Sequence, residues 1–215
     1  MMSDLFKKNK VFWIAYLVFW LIGIWLLSRF KKGDIEKYIN QHYTSDTADI
    51  FFKYFTWVGD GLFYILVGLV LLYFHRQRGW VALVSFAVVG ICVQLLKNFV
   101  FTDAPRPLSF FGAESGLHLV EGISIHKFGS FPSGHSATAF SVFFLLAFYS
   151  KYSYIKFLCL ICAVLAAFSR VYLLQHFFVD VYFGSIIGLI LTISVDLWIT
   201  KVGFLSPSSS RGIKK

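Results

Sequence analysis

Apolar residues run along this chain in long blocks, separated by short polar segments. The first block, Val11 to Leu27, is flanked by Lys10 on one side and Ser28-Arg29-Phe30-Lys31-Lys32 on the other. A helix needs about 20 apolar residues to cross the hydrocarbon of a bilayer. By that measure the pattern predicts spans at about 11–28, 57–74, 80–100, 135–150, 154–171 and 179–200. The period-two alternation of a transmembrane barrel is absent. The expected fold class is therefore all-alpha: a polytopic membrane protein with six transmembrane helices. A cleaved leader would carry a shorter apolar core of about 7–15 residues and a small-residue cleavage site. The first block is accordingly expected to persist as a helix.

The polar segments divide the chain further. Residues 1–56 read as an N-terminal transmembrane helix with an interfacial linker. Residues 57–200 form the main membrane core, and 201–215 a cytoplasmic tail. Within the linker, Tyr38, Tyr43, Phe51, Phe52 and Tyr54 suit a short helix lying at the membrane interface. The 34 residues between the third and fourth spans (101–134) form the longest loop.

Composition agrees with a membrane protein and narrows the partners. Of 215 residues, 58% are hydrophobic and only 14% are charged, well below the roughly 25% of a soluble domain. The net charge of +9 could suggest nucleic acid. The cations, however, cluster in short segments between apolar blocks, as membrane anchors do, so no nucleic-acid partner is expected. No obligate protein partner is inferred either. Lys7, Lys8 and Lys10, Arg76 and Arg78, Lys151 and Lys156, and Lys201, Arg211, Lys214 and Lys215 fall on one side of a six-span bundle. The positive-inside tendency makes that side, with both termini, cytoplasmic. Cys92, Cys159 and Cys162 all lie inside apolar blocks and lack further ligands nearby, so they read as packing residues.

Three polar clusters fall on the opposite, outer side. The first is Lys97 with Arg106-Pro107. Arg106 stands between Pro105 and Pro107, which restrict its backbone, and a guanidinium can grip phosphate oxygens with two parallel hydrogen bonds. The second is Pro132-Ser133-Gly134-His135, a turn opening a helix. Free N–H groups at a helix start attract an anion, and Gly134 allows close backbone approach. The third is Ser169-Arg170 followed by His176 and Asp180, which are four apart and share a face if helical. Asp180 could fix one ring nitrogen of His176 and leave the other free to attack. Structural readings remain for each: an interfacial arginine, a snorkelling lysine, a His–Asp pair without chemistry. Glu114, Glu121, His126 and Lys127 read first as solvated loop residues, with headgroup recognition as the alternative.

Together these residues closely resemble the type 2 phosphatidic acid phosphatase family, related in its catalytic core to vanadium haloperoxidases and glucose-6-phosphatase. Pro132-Ser133-Gly134-His135 and the Ser169-Arg170…His176…Asp180 series match its second and third motifs without a gap. In the first motif eight residues separate Lys97 from Arg106, where the family typically has six. The resemblance covers roughly residues 57–200 and implies a haloperoxidase-like helical core. It implies His176 as nucleophile, His135 as general acid and then base, and Asp180 as the group that orients His176. Lys97, Arg106, Ser133, Gly134 and Arg170 are implied as phosphate ligands, with no metal and no cofactor. The expected activity is hydrolysis of a lipid phosphate or pyrophosphate at the outer face of a bacterial inner membrane, through a phosphohistidine. Undecaprenyl pyrophosphate or phosphatidylglycerol phosphate leads as substrate. Lipid A phosphatase, lipid phosphotransferase, vanadate-dependent halide oxidation and a non-hydrolytic lipid transporter are the alternatives.

Overall fold

The computed structural model describes residues 9–112, 116–124 and 126–202. Lys7, Lys8, Glu114 and the tail cations Arg211, Lys214 and Lys215 lie outside them. The described chain is helical: α1 (Lys10–Arg29), α2 (Asp34–His42), α3 (Asp46–Phe55), a 3-10 turn (Thr56–Gly59), α4 (Gly61–Phe74), α5 (Arg76–Leu95), a π turn (Leu96–Val100), α6 (Pro107–Phe111), α7 (Gly134–Tyr149), α8 (Ser153–Tyr172) and α9 (Phe178–Val202).

Six spans are not found. Among the described residues four helices are long and apolar enough to cross a membrane: Lys10–Arg29, Arg76–Val100, Ser153–Tyr172 and Phe178–Lys201. The count reaches five at most if Asp46–Gly59 and Gly61–Phe74, bent by 50°, are taken as one span. The difference has two local causes. At Asp60 the helix restarts: its backbone is extended, and its side chain accepts from Leu62 N at 2.9 Å. Hydropathy runs straight across that break, because Trp57, Val58, Leu62 and Phe63 are apolar on both sides. The expected span at 135–150 is the 16-residue helix Gly134–Tyr149. At 1.5 Å per residue it is roughly 24 Å long, short of a bilayer's hydrocarbon thickness. The single linker helix expected between 29 and 56 is also two, α2 and α3. Tyr38, Phe51 and Tyr54 are exposed on them and Tyr43 just past the end of α2, while Glu36 and Asn40 are buried.

α7 lies in the centre and packs on α8, α9 and α5. Its apolar residues are buried almost all round, including Phe140, Val142, Phe144 and Leu145. The approach of α9 to α7 depends on Gly184 and Gly188, a Gly-x-x-x-Gly spacing that puts both on one helix face. A Cβ at Gly184 would lie 2.5 Å from the Ser133 carbonyl oxygen, and one at Gly188 would overlap the carbonyl of Ala137. Beyond them a polar ladder crosses the apolar interior. Tyr64 and Ser141 hydroxyls are 2.7 Å apart, Ser141 and Thr192 hydroxyls 2.5 Å, and Thr192 donates to Gly188 O at 2.6 Å. In an apolar interior such bonds hold helices in one register, since a slip leaves hydroxyls unpaired.

Gly188→Ala is expected to push α9 off α7. Overpacking of this kind costs about 1–3 kcal/mol. Thermal unfolding in detergent should show a lowered midpoint, whereas Gly90→Ala, where a Cβ meets nothing within 4 Å, should not.

Candidate active site

Four chain segments converge at one end of the helices. They are the π turn after α5, the segment 104–106 before α6, the start of α7, and the turn joining α8 to α9. Strand-like pairing joins the second to the long loop: Arg106 N donates to Lys127 O at 2.9 Å and Ser130 N to Ala104 O at 3.1 Å.

The π turn bears on the long first motif. Phe101 N bonds to Leu96 O, five residues back, so the helix holds extra residues in its last turn. Such bulges absorb an insertion without ending the helix. Lys97 faces inward from this turn, and its Nζ donates to Gly129 O at 2.8 Å. Arg106 is 8% exposed and heavily tied. Its Nε donates to Phe128 O, and one terminal nitrogen to both the carbonyl and the side-chain oxygen of Gln175, each at 3.1 Å.

α7 begins at a cap. Ser133 is buried, and its hydroxyl accepts from Ser136 N at 3.4 Å and Ser136 Oγ at 2.9 Å. Its N–H donates to Asp180 O at 3.0 Å, which fastens this cap to α9. Gly134 and His135, not Ser133, line the cavity.

α8 ends in a tight turn. Leu174 has a φ of 52°, a left-handed conformation that a leucine adopts at a cost of about 1–2 kcal/mol, and its side chain is fully buried. The turn returns the N–H groups of Gln175 and His176 to Arg170 O, at 2.9 and 3.1 Å. α9 then starts with a reciprocal cap: Asp180 Oδ2 accepts from Phe177 N at 2.9 Å, and Asp180 N donates to Phe177 O. Ser130 Oγ donates to the same oxygen at 2.5 Å. Across the turn, the buried carboxylate of Glu36 accepts from Phe178 N at 2.6 Å. Burial pushes the Glu36 carboxyl up, and Phe178 N–H and Gly33 N–H oppose that rise.

His176 is 2% exposed, with Nδ1 3.5 Å from Asp180 Oδ2. That gap is wider than a formed hydrogen bond, and Nδ1 has no other partner among the described residues. Oδ2 is already held by Ser130 and Phe177. Burial holds His176 down at about 3, and Arg106 and Arg170 reinforce this while Asp180 opposes it. The ring is therefore neutral at ordinary pH. His135 is less enclosed: its Nε2 lies 3.6 Å from Asp60 Oδ2. Arg170 donates to Thr56 Oγ1 at 2.9 Å.

Lys97, Arg106, Gly134, His135, Arg170, Gln175 and His176 surround one cavity of about 340 Å³. Gly122, Ile123, Ser124 and His126 of the long loop complete its wall. That loop is strapped down at His118. Asn40 donates to His118 O and accepts from His118 N, and the His118 ring meets Asp49 at 2.7 Å. Lys53 holds Glu121 O at 2.7 Å. His126 of the sequence candidates thus lies at the cavity; Lys127 contributes its backbone carbonyl to Arg106, and Glu121 its own to Lys53. His135 also borders a second, apolar groove of about 470 Å³, formed with Thr56, Trp57, Val58, Asp60, Leu62, Phe63 and Leu66.

Seven of the eight sequence candidates meet around one space or, as Asp180 does, stand directly behind it; Ser133 caps the helix that opens there. Sequence reading missed Ser130, Gln175, Thr56, Glu36 and Asp60. Asp60 alone carried a signal, a charge between Gly59 and Gly61 at the edge of an apolar block.

Three cations and two histidines thus gather at one end of apolar helices, an arrangement able to hold a phosphate. The family model of the PAP2 superfamily matches residues 78–204, and the chain belongs to that superfamily of membrane lipid phosphatases. No curated protein sequence gives a significant match. Among solved structures it is similar to LpxE of Aquifex aeolicus, at 25% identity and a TM-score of 0.67, over 79% of this chain and 97% of that one. It is also similar to a transmembrane PAP2 type phosphatidylglycerolphosphate phosphatase from Bacillus subtilis. There the identity is 21% and the TM-score 0.63, over 88% and 96% of the two chains, which is a likeness of fold. The protein is thus a polytopic membrane lipid phosphatase like its bacterial relatives.

Two expectations follow. Ser130→Ala removes one donor to a buried carboxylate, and is expected to lower stability by about 1–3 kcal/mol, read as the unfolding midpoint in detergent. His176 titrates near 6.5 when unfolded but at about 3 when folded. Between those values the unfolded chain binds the extra proton, so stability falls as pH drops from roughly 6.5 towards 3. His176→Asn should make that part of the stability–pH curve shallower, with His135, also held down by burial, supplying the remaining slope.

Proposed function

We propose that the protein hydrolyses a lipid phosphomonoester through a phosphohistidine, with a lipid A phosphate as its leading substrate. The observation that carries the chemistry is the pairing of a neutral, buried His176, backed by Asp180, with a cavity walled by Lys97, Arg106 and Arg170. His176 attacks phosphorus through Nε2, the nitrogen turned away from Asp180. The bond from phosphorus to the lipid oxygen breaks as the new N–P bond forms, and His135 delivers a proton to the departing oxygen. Attack leaves positive charge on the His176 ring, which Asp180 then stabilises. His135, now neutral, takes a proton from water as that water attacks the phosphohistidine, releasing inorganic phosphate. Lys97, Arg106, Arg170 and the N–H groups at the start of α7 hold the phosphate oxygens throughout. Ser133 acts by setting that helix start. The three cations supply the charge stabilisation that a metal would otherwise bring.

For the substrate, the likeness to LpxE exceeds that to the phosphatidylglycerolphosphate phosphatase in both identity and TM-score. It moves the reading towards lipid A and away from undecaprenyl pyrophosphate. Phosphatidylglycerol phosphate remains the second reading on the strength of the other likeness.

The orientation follows from charge. Asn9 Oδ1 accepts from Lys156 at 2.6 Å, and Arg78 stacks on Tyr149 at 4.9 Å. Lys10, Arg76, Arg78, Lys151 and Lys156 therefore gather at the end away from the cavity. By the positive-inside tendency that end is cytoplasmic, and the cavity opens to the periplasmic or extracellular face of the inner membrane.

Purified protein in detergent with a chelator should release phosphate from lipid A, ahead of phosphatidylglycerol phosphate and undecaprenyl pyrophosphate. No release from any of them by well-folded protein refutes the enzyme reading. His176→Ala should abolish both turnover and trapped phosphoenzyme, a loss of at least about a thousandfold. His135→Ala should slow the lipid substrates by about 100-fold or more. Labelled phosphate appearing on an added lipid acceptor, in place of inorganic phosphate, would select the transferase.

A further inference from the structure

The proton donor assigned above sits in an unfavourable field. His135 faces Arg170 from α8, His176 from the following turn, Lys97 from the π turn and Arg106 from the segment before α6. His126 of the long loop shares the cavity wall. Burial is the largest effect opposing a proton on His135, and Arg170, His176, Lys97 and Arg106 add to it. Among the described residues, one carboxylate stands within 4 Å of the ring: Asp60, with Oδ2 3.6 Å from Nε2.

The chain is shaped to put Asp60 there. The 3-10 turn Thr56–Gly59 ends against the start of α7, and Gly59 is the contact. A Cβ at that position would come within 3.1 Å of the His135 carbonyl oxygen. Asp60 follows directly in extended backbone. Its two oxygens are divided: Oδ1 accepts from Leu62 N at 2.9 Å and caps α4, while Oδ2 is the one near His135. Thr56, at the start of the same turn, holds Arg170.

We propose that Asp60 is a positioning residue for proton transfer, holding His135 in the protonated form that the departing lipid oxygen needs. This rests on the role given to His135 in the proposed function. Asp60 supplies charge, and no proton passes through it. The proton goes from His135 to the lipid oxygen as the phosphorus–oxygen bond breaks. At 3.6 Å the carboxylate stabilises an imidazolium by attraction without a formed hydrogen bond, and a bound phosphate dianion adds to the effect. A helix-capping role alone would leave Oδ2 and its direction without consequence.

The two roles separate cleanly by substitution. Asparagine caps a helix as well as aspartate does, so Asp60→Asn keeps the cap and removes the charge. The measurement is the single-turnover rate of phosphohistidine formation by rapid quench, across pH, with two substrates. One is the lipid phosphate that wild type turns over. The other is nitrophenyl phosphate, whose leaving oxygen departs without a proton. With the lipid, Asp60→Asn is expected to slow the step by about 10–100-fold, part of the full general-acid effect. Its alkaline limb should move to lower pH, because removing a negative neighbour makes His135 lose its proton sooner. With nitrophenyl phosphate the rate should stay within about twofold of wild type. Asp60→Glu should restore part of the lipid rate.

Superimposable pH profiles for wild type and Asp60→Asn on the lipid would overturn the proposal. So would equal slowing with both substrates, or a rise in KM alone, which would assign Asp60 to Arg170 and phosphate binding. Asp60→Asn should unfold within a degree or two of wild type; a collapse in that midpoint would reduce Asp60 to its cap and equally sink the idea. Failure of the underlying function looks different, since wild type itself would then form no phosphohistidine.

Discussion

The site depends on one backbone approach, that of α9 against the opening turn of α7 at Gly184 and Gly188. Nothing larger than hydrogen fits there. Because the helices meet so closely, Ser133 N can reach Asp180 O, and the cap of one helix is pinned to the first turn of the other. His135 and His176 belong to those two turns, so their separation is set by this contact. The Tyr64–Ser141–Thr192 ladder further along the same interface prevents α9 from sliding. Van der Waals contact thus provides the proximity, and the polar ladder provides the register.

The second constraint is electrostatic. Three cations crowd one cavity, and backbone and side-chain acceptors share out their charge. Gly129 takes Lys97, Phe128 and Gln175 take Arg106, and Thr56 takes Arg170. These acceptors are neutral dipoles, so they aim the cations without cancelling them. Under the proposed function, a phosphate entering the cavity finds its donors already placed, the condition under which such groups contribute most to a transition state.

Much of the site was legible in the chain because its motifs are local. Ser133 and Gly134 mark a helix start within the motif itself, and His176 and Asp180 are joined by a single turn. Lys97 and Arg106 were legible as types, but their odd spacing made sense only with the π turn, which no residue between 96 and 100 announces. Ser130, Gln175, Thr56 and Glu36 act through contacts made far along the chain, and they look ordinary in sequence. The helical class was plain from hydropathy, whereas the number of spans was not. Averaging over apolar residues blurs a helix restart at Asp60 and overlooks how little length is left after the cap at Ser133. The GxxxG face of α9 was written in the sequence, but its partner was not.

His135 stands where two spaces of opposite character meet. On one side is the polar chamber beneath the strapped loop. On the other is the apolar groove of Trp57, Leu62, Phe63 and Leu66. Under the proposed chemistry, the bond broken beside this histidine yields two fragments that cannot share a route. A phosphate dianion is barred from the greasy groove by desolvation, and a freed lipid has no reason to enter the wet chamber. The reaction products are sorted by solubility as they form. On that reading the lipid product and the phosphate leave the same histidine by separate paths.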